Sequence, residues 1–180
     1  MQDREALADF EAFYERTYPA AFRVAYGVVG ERDLAEDVTQ DAYVAAYRDR
    51  DRYRGDGPPE AWLYRIVVHA AISAARRRRV RVVGRIAADG DGPGPDETSV
   101  AVDRLVIADG LRELDPRARS AVILRYYLDL DYATIASVLG TSVDNVGVIL
   151  TRSRDRLRRL MDPSAATRGT LATEEAGRHG

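Results

Sequence analysis

The 180-residue sequence contains no cysteine and only two histidines, His69 and His179. The absence of thiols excludes a disulfide framework, a thiol nucleophile, a zinc ribbon and an iron–sulfur site. No apolar run approaches the roughly 18 residues of a membrane span, and the opening residues Met1–Glu5 do not resemble a signal peptide. We therefore expect a cytoplasmic protein with no membrane insertion. We also expect no metal, no cofactor, no catalytic residue and no small-molecule substrate.

Lysine is missing as well, so all 27 basic residues are arginine. Arginine presents a bidentate fork that suits phosphates and guanine edges. Coding bias is the competing explanation, because alanine, glycine and aspartate are abundant too. The distribution of charge along the chain is therefore a better guide to function than the use of arginine in place of lysine.

The formal net charge of −2 conceals a segregation of charge along the chain. Residues 1–41 hold four Arg against ten Asp and Glu, whereas residues 42–79 hold nine Arg against four acids. A second basic cluster occupies residues 152–159. This asymmetry predicts one protein partner and one polyanion, although solvated helix faces would explain either block alone.

The sequence divides into two modules with helical periodicity. Residues 1–80 and 103–162 are predicted domains, 81–102 a flexible linker rich in Gly, Pro and Asp, and 163–180 a disordered tail. Strand-like alternation is absent, so the predicted fold is all-α, with two small helical domains. Pro19 is predicted to interrupt the first helix and to begin a second one. The apolar stripe of this region is predicted to comprise Leu7, Phe10, Tyr14, Tyr18, Ala21, Ala25 and Val28.

The second module carries the spacing of a helix-turn-helix. Residues 132–139 predict a short helix, Gly140 a sharp turn, and Ser142 the cap of a longer helix. Arginines at the end of that helix lie mostly off its apolar stripe of Val146, Leu150, Leu157 and Leu160, where they could contact phosphates. A generic helical hairpin is the alternative. The arginine cluster favours DNA binding.

One face of a helix in the first module combines an aromatic ring with arginines. Trp62, Arg65, His69, Ser73 and Arg76 share this face, which continues into the run of arginines 76–79. Aromatic and Arg side chains together hold unstacked bases and a single-stranded backbone. Core packing is the alternative for the tryptophan, and a solvated helix end is the alternative for the arginine run.

The preceding helix carries a polar flank of acidic residues. Glu36, Asp37, Gln40 and Asp41 lie beside Val44. Acidic groups with an apolar neighbour suit docking onto a basic protein surface. No partner for acid–base catalysis is evident, which disfavours an enzyme.

At four ordered stretches the sequence resembles the bacterial extracytoplasmic-function (ECF) sigma factors over about residues 7–160. These stretches are residues 34–44, residues 62–66 with the arginines 76–79, residues 114–119, and residues 132–142 with Arg152 and Arg154. The resemblance implies a sigma region 2-like domain, a linker and a sigma region 4-like helix-turn-helix domain. It also implies core RNA polymerase and promoter DNA as partners, allows for an anti-sigma factor, and leaves catalysis to the polymerase.

The resemblance further implies roles for individual residues. Polymerase binding falls to Glu36, Asp37, Gln40, Asp41 and Val44. Melting and reading of the minus-ten element falls to Tyr53, Arg54, Trp62, Arg65, His69, Ser73, Arg76 and Arg77. Recognition of the minus-thirty-five element falls to Ser142, Asn145, Val148, Thr151, Arg152 and Arg154.

Two departures from the family pattern concern DNA recognition. His69 and Ser73 occupy a face where the family usually has Asn and Asp. Gly147, Val148 and Ile149 stand where polar or basic residues are usual, and Val148 could contact only an apolar group such as a thymine methyl. The alternative function is a helix-turn-helix regulator that does not engage polymerase, and only the sigma function requires Asp37 and Gln40 for binding core polymerase.

Overall fold

The computed structural model describes residues 7–55, 57–89 and 110–161, with side chains described outside 80–89. Within these ranges the chain is helical and contains no strand, which agrees with the predicted all-α class. The N-terminal module contains α1 (Phe10–Val29), α2 (Arg32–Asp49), a 3-10 turn (Arg50–Arg52) and α3 (Pro59–Asp89). The C-terminal module contains α4 (Pro116–Tyr126), α5 (Tyr132–Leu139) and α6 (Val143–Met161).

The first helix continues through Pro19, so the prediction of a helix break there is wrong. Proline costs a helix one backbone hydrogen bond and some strain. Tertiary packing offsets that cost, because Phe13, Val24 and Val28 in α1 are fully buried. The helix begins at Asp9, whose side chain caps the first turn, and ends at Gly30 in the left-handed conformation.

The core of the N-terminal module is formed by α1, α2 and α3, which pack against one another. Small residues of α2, such as Ala35 and Ala46, are fully buried and allow a close approach of the helices. The third helix contributes Leu63 and Val67, which are fully buried. This helix runs to Asp89, into the segment predicted as a linker from residue 81, and residues 90–102 lie outside the described ranges.

The C-terminal module confirms the predicted helix-turn-helix. Asp115 and Asp131 cap α4 and α5 through their side chains, and Gly140 makes the turn with a φ of 59°. The axes of α5 and α6 meet at 96°. Val146 and Leu150 are buried as predicted, whereas Leu160 is 50% exposed and does not belong to the inner stripe. The predicted tail, residues 163–180, lies outside the described ranges.

The two modules pack against each other, with α4 on α1 and α5 on α3. Gly27 of α1 faces Ile123 of α4 so closely that a Cβ at Gly27 would lie 2.6 Å from the Ile123 Cδ1 atom. The guanidinium group of Arg119 donates to the carbonyl of Val28 at 2.6 Å. Packing between the modules thus depends on specific contacts as well as on apolar burial.

Candidate polymerase and nucleic-acid interfaces

One face of α2 is buried in the core, and the acidic residues of this helix lie on the opposite, solvent-facing side. Asp37 and Asp41 are exposed and form no ion pair within the described part of the chain. Glu36 is half-buried and accepts a hydrogen bond from Arg32 at 3.1 Å. Gln40 and Val44 are exposed on the same helix. The structure therefore brings the predicted polymerase-binding residues together on one exposed surface: Glu36, Asp37, Gln40, Asp41 and Val44.

A row of aromatic side chains borders the acidic face, and we call it the aromatic band. Four of its members recur every fourth residue along α1, and the other two belong to α2. Ring centroids lie 5.1 Å apart for Tyr14 and Tyr18 and 4.7 Å apart for Tyr14 and Tyr43. Burial is the main cause that raises the pKa of Tyr18, and nearby Glu36 raises it further. The aromatic band comprises Tyr14, Tyr18, Phe22, Tyr26, Tyr43 and Tyr47.

Periodicity places Tyr14 and Tyr18 in the core stripe, but Tyr14 is 39% exposed and Tyr18 is only partly buried against the core. Phe13 and Thr17 occupy the core position instead, and the Thr17 hydroxyl bonds to the Phe13 carbonyl at 2.6 Å and to the Tyr43 hydroxyl at 2.7 Å. Tyr14 is left partly exposed. The signal for this outcome was the spacing of four among Tyr14, Tyr18, Phe22 and Tyr26, which drifts around the helix instead of following one line.

The predicted base-binding face of α3 is present on the surface. Arg65, His69, Ser73 and Arg76 are exposed, and Trp62 is half-buried. Residues three and four apart on a helix are neighbours, so these side chains form one continuous strip. The indole ring lies at the end nearest the loop that precedes α3. This surface can offer a stacking platform together with cations for a nucleic-acid backbone.

Tyr53 lies inside the loop rather than on its surface. It is 5% exposed, its ring packs on Trp62 with a centroid distance of 5.6 Å, and its hydroxyl donates to the carbonyl of Gly57. Gly55 and Gly57 both have positive φ values, which glycine adopts without strain. In this arrangement Tyr53 supports the tryptophan, while Arg54 remains exposed.

The arginine run lies inside α3, because the helix continues to Asp89. A solvated helix end therefore does not explain this run. Arg78 pairs with Glu31 at 2.8 Å and ties α3 to the start of α2. Arg76 and Arg77 are exposed and form no ion pair among the described residues. Exposed arginines without an ion-pair partner are suited to phosphate binding.

The exposed face of α6 carries the residues predicted to read duplex DNA. Ser142 caps the helix by accepting from the backbone N–H of Asn145 at 3.2 Å. The Asn145 side-chain amide donates one N–H to the Thr141 hydroxyl at 2.7 Å, which leaves its carbonyl oxygen and its second N–H for a base. The predicted set is exposed throughout: Ser142, Asn145, Val148, Thr151, Arg152 and Arg154.

The arginines of α6 differ in whether they are paired. Arg156 pairs with Glu113 at 3.1 Å, and Arg158 lies 3.7 Å from Asp155. Arg152 and Arg154 form no ion pair in the part of the chain that the structure describes. Two residues of helix correspond to a rotation of about 200°. Arg152 and Arg154 therefore project on different sides of the helix.

Sequence reasoning missed two residues that shape these surfaces. Tyr132, the first residue of α5, lies beside the exposed face of α6 and is 40% exposed. Its position directly after the Asp131 cap was the sequence signal that Tyr132 begins this helix. Arg119 is buried between the modules, and no local pattern in the sequence marks it.

Two further properties hold for the described ranges. No three His, Asp or Glu side chains there converge in a way that could hold a metal ion. No single helix there is long and apolar enough to cross a membrane, and only the bent pair α5 and α6 reaches the required length and composition together.

Two family models match the chain in the expected order. The model for Sigma-70 region 2 matches residues 13–81, and the model for Sigma-70 region 4 matches residues 104–157. The ECF RNA polymerase sigma factor SigL of Mycobacterium tuberculosis is 33% identical over 75% of this chain and 78% of SigL. The chain belongs to the ECF sigma factors. The RNA polymerase sigma factor CnrH of Cupriavidus metallidurans is also 33% identical, over 74% of this chain and 76% of CnrH.

Other ECF relatives are longer than this sigma factor. SigG of Mycobacterium tuberculosis is 29% identical over 91% of this chain, but the chain spans about half of SigG, 51% of its length.

Solved sigma-factor structures share the arrangement of this ECF sigma factor. RpoE of Bartonella quintana, in complex with the anti-sigma factor NepR, superposes with a TM-score of 0.72 at 25% identity, covering 85% of this chain and 96% of RpoE. CnrH in complex with the cytosolic domain of CnrY gives a TM-score of 0.68 at 26% identity, covering 89% and 97%.

Proposed function

We propose that this ECF sigma factor binds core RNA polymerase and directs promoter recognition, DNA melting and transcription initiation in the cytoplasm. One observation carries the proposal: unpaired acidic and unpaired basic side chains lie on separate exposed helices, α2 on one hand and α3 and α6 on the other. Catalysis belongs to the polymerase, and the chain contributes binding energy and orientation.

The acidic face of α2 is the surface that docks on polymerase. Asp37 and Asp41 are free to meet basic side chains of a partner, and complementary charge both steers and orients such an encounter. Val44 and Tyr47 add exposed apolar area beside these acids. Aromatic side chains are enriched at the centres of protein interfaces, so the aromatic band supplies a suitable border for the contact.

The exposed strip of α3 holds the melted minus-ten element. A base that leaves the duplex loses its stacking partners, and the Trp62 ring offers a replacement. Arg65 and Arg76 contact the backbone, as do Arg54 and Arg77 at the edges of the strip, while His69 and Ser73 contribute hydrogen bonds. Tyr53 acts from beneath by holding Trp62 in place.

The C-terminal module recognises the minus-thirty-five element through α6 in the major groove. Arg152 and Arg154 contact phosphates on either side of this helix, because both are exposed and unpaired among the described residues. Ser142, Asn145, Val148 and Thr151 face the bases. The proposed domain limits are 1–80 and 103–162, and the family matches at 13–81 and 104–157 support them.

An anti-sigma protein is a further proposed partner. The related RpoE is known in complex with the anti-sigma factor NepR, and CnrH in complex with the cytosolic domain of CnrY. The support for the same kind of partner here is the similarity of the whole fold to these two sigma factors, including both modules.

Reconstitution with core polymerase tests the function. The chain should form a stable complex with core enzyme and produce promoter-specific run-off transcripts. The double variant Asp37→Arg/Asp41→Arg should lose the complex, whereas Glu15→Arg, an exposed acid of α1 outside the α2 face, should keep it. A regulator that does not engage polymerase would bind DNA alone, and both variants would leave its activity unchanged.

A further inference from the structure

A concave groove lies beside α6, between this helix and the first residue of α5. Its volume is about 510 Å³. One residue of α5 and six of α6 form its walls, and those of α6 fall on consecutive turns of the exposed face. The lining residues are Tyr132, Val143, Asp144, Gly147, Val148, Thr151 and Arg152.

Three large apolar side chains of the groove are exposed to solvent. Tyr132, Val143 and Val148 are 40%, 47% and 45% exposed. Clustered exposed apolar groups commonly mark a binding surface. Gly147 leaves space beside Tyr132, because a Cβ atom there would lie 3.8 Å from the Tyr132 Cε2 atom, in van der Waals contact, and would narrow the groove at this point.

The charges on the rim identify what this apolar surface meets. Arg152 lies at one edge, exposed and without an ion pair among the described residues, which suits a neighbouring phosphate. Asp144 lies at another edge, and a carboxylate accepts from the exocyclic amine of a base but repels phosphate. An apolar floor with these two groups on its rim fits base edges in the major groove of duplex DNA.

Only one apolar group is presented there by a base pair, the C5-methyl group of thymine. We propose that Tyr132, Gly147 and Val148 form a methyl-binding groove that makes thymine the preferred base at one position of the minus-thirty-five element. This inference rests on the proposed promoter recognition by α6 and adds to it the residues that determine one base. Tyr132 forms one wall of the groove, Val148 contacts the methyl group, and Gly147 leaves room for the methyl group to enter.

Removal of the single methyl group tests the inference. Holoenzyme assembled from the full chain and core polymerase selects duplexes from a library randomised over the minus-thirty-five region. The selected duplex is then synthesised with deoxyuridine at each thymine in turn, and the dissociation constant is measured for each. Burial of one methyl group corresponds to about a fourfold change in affinity, so we expect about fourfold weaker binding at one position.

Variants assign the effect to the groove. Val148→Ala removes the contact and Gly147→Ala places a methyl group of the protein in the opening, so each should reduce the thymine-to-deoxyuridine ratio to below about twofold. Gly147→Ala should also raise the melting temperature, because alanine favours a helix more than glycine does, so a loss of fold cannot explain its result. Leu160→Ala, at an exposed residue of α6 outside the groove, should keep the full ratio.

The results separate this inference from the function on which it rests. Tight binding of the selected duplex with equal affinity for every deoxyuridine derivative would overturn the methyl-binding groove and leave the sigma function intact. An unchanged ratio in both Val148→Ala and Gly147→Ala would do the same. Absence of a complex with core polymerase would instead overturn the proposed function, and this inference with it.

Discussion

The guanidinium group of Arg119 in α4 donates to the carbonyl of Val28 in the last turn of α1, with 2.6 Å between Nη1 and oxygen. Its other N–H groups donate to the carbonyls of Leu111, Arg112 and Leu114 at 2.7, 2.9 and 3.1 Å. Carbonyls in the last turn of a helix have no partner within it and form the negative end of its dipole. Val28 lies in the last turn of α1, so Arg119 joins the two modules by donating to its carbonyl.

Replacing Arg119 with methionine should destabilise the protein strongly. Burial lowers the pKa of Arg119, and the nearby Arg112 lowers it further. Arg119→Met removes the guanidinium donor from the carbonyls that accept from it, and breaking a buried charged network costs about 3 kcal/mol. Urea unfolding measures the change. Arg152→Met, at an exposed and unpaired arginine, should stay within about 0.5 kcal/mol of the wild type, and equal losses in the two variants would contradict the role of Arg119.

The effect of Gly27→Ala on the free energy of unfolding should change sign when the facing residue, Ile123, is shortened. Alanine favours the helix by about 1 kcal/mol, but its Cβ would lie 2.6 Å from the Ile123 Cδ1 atom, and overpacking costs about 1–3 kcal/mol. We expect net destabilisation in the wild type and stabilisation in an Ile123→Val background, which lacks that atom. The measurement is the free energy of unfolding of four proteins: the wild type, the two single variants and the double variant. Stabilisation by Gly27→Ala in both backgrounds would contradict the close contact between Gly27 and Ile123.

The cap of α5 should make stability depend on pH in the acid range. Hydrogen bonds from the backbone N–H and hydroxyl of Thr134 lower the pKa of Asp131 below its ordinary 3.8. The ionised cap therefore stabilises the fold fully above that pH, and its contribution is lost as the pH falls through the lower folded value. Asp131→Asn keeps a capping group that does not titrate. Between about pH 6 and about pH 2 its stability should fall less than that of the wild type, and parallel profiles in urea unfolding would contradict this.

Arg152→Ala should weaken DNA binding by a similar factor for every promoter sequence. A lost phosphate contact releases one counterion fewer, so the slope of log K against log salt should become less steep by about one. Holoenzyme binding to promoter duplexes at several salt concentrations gives this slope. Arg158→Ala is the matched control, because Arg158 lies near Asp155. A loss confined to particular sequences with an unchanged slope would instead assign Arg152 to base recognition.

Local features of this fold could be predicted from the sequence because they depend on neighbouring residues. Ser142 caps its helix as predicted, and Asp115 and Asp131 cap theirs in the same way, since a cap needs only a short polar side chain next to the first turn. Gly140 makes the predicted turn for a similarly local reason. The exposed positions of Asp37 and Arg152 also follow from helix periodicity.

Features that depend on distant residues could not be predicted in this way. Pro19 suggested a break, but burial of α1 against two other helices outweighs the local preference. Tyr53 is polar enough for a surface loop, yet Trp62 covers it. Arg119 finds its carbonyl partner 91 residues away, and nothing near it in the sequence indicates a buried charge. Packing between the modules therefore became evident only in three dimensions.

The central claim is that the acidic face of α2 recruits polymerase to promoters read by α3 and α6. Run-off transcription with purified chain and core polymerase, on templates chosen by selection with the holoenzyme, tests it most directly. The account predicts promoter-specific transcripts with the wild type and with Glu15→Arg, and none with Asp37→Arg/Asp41→Arg. A chain that binds DNA but neither joins core polymerase nor supports a transcript would contradict it.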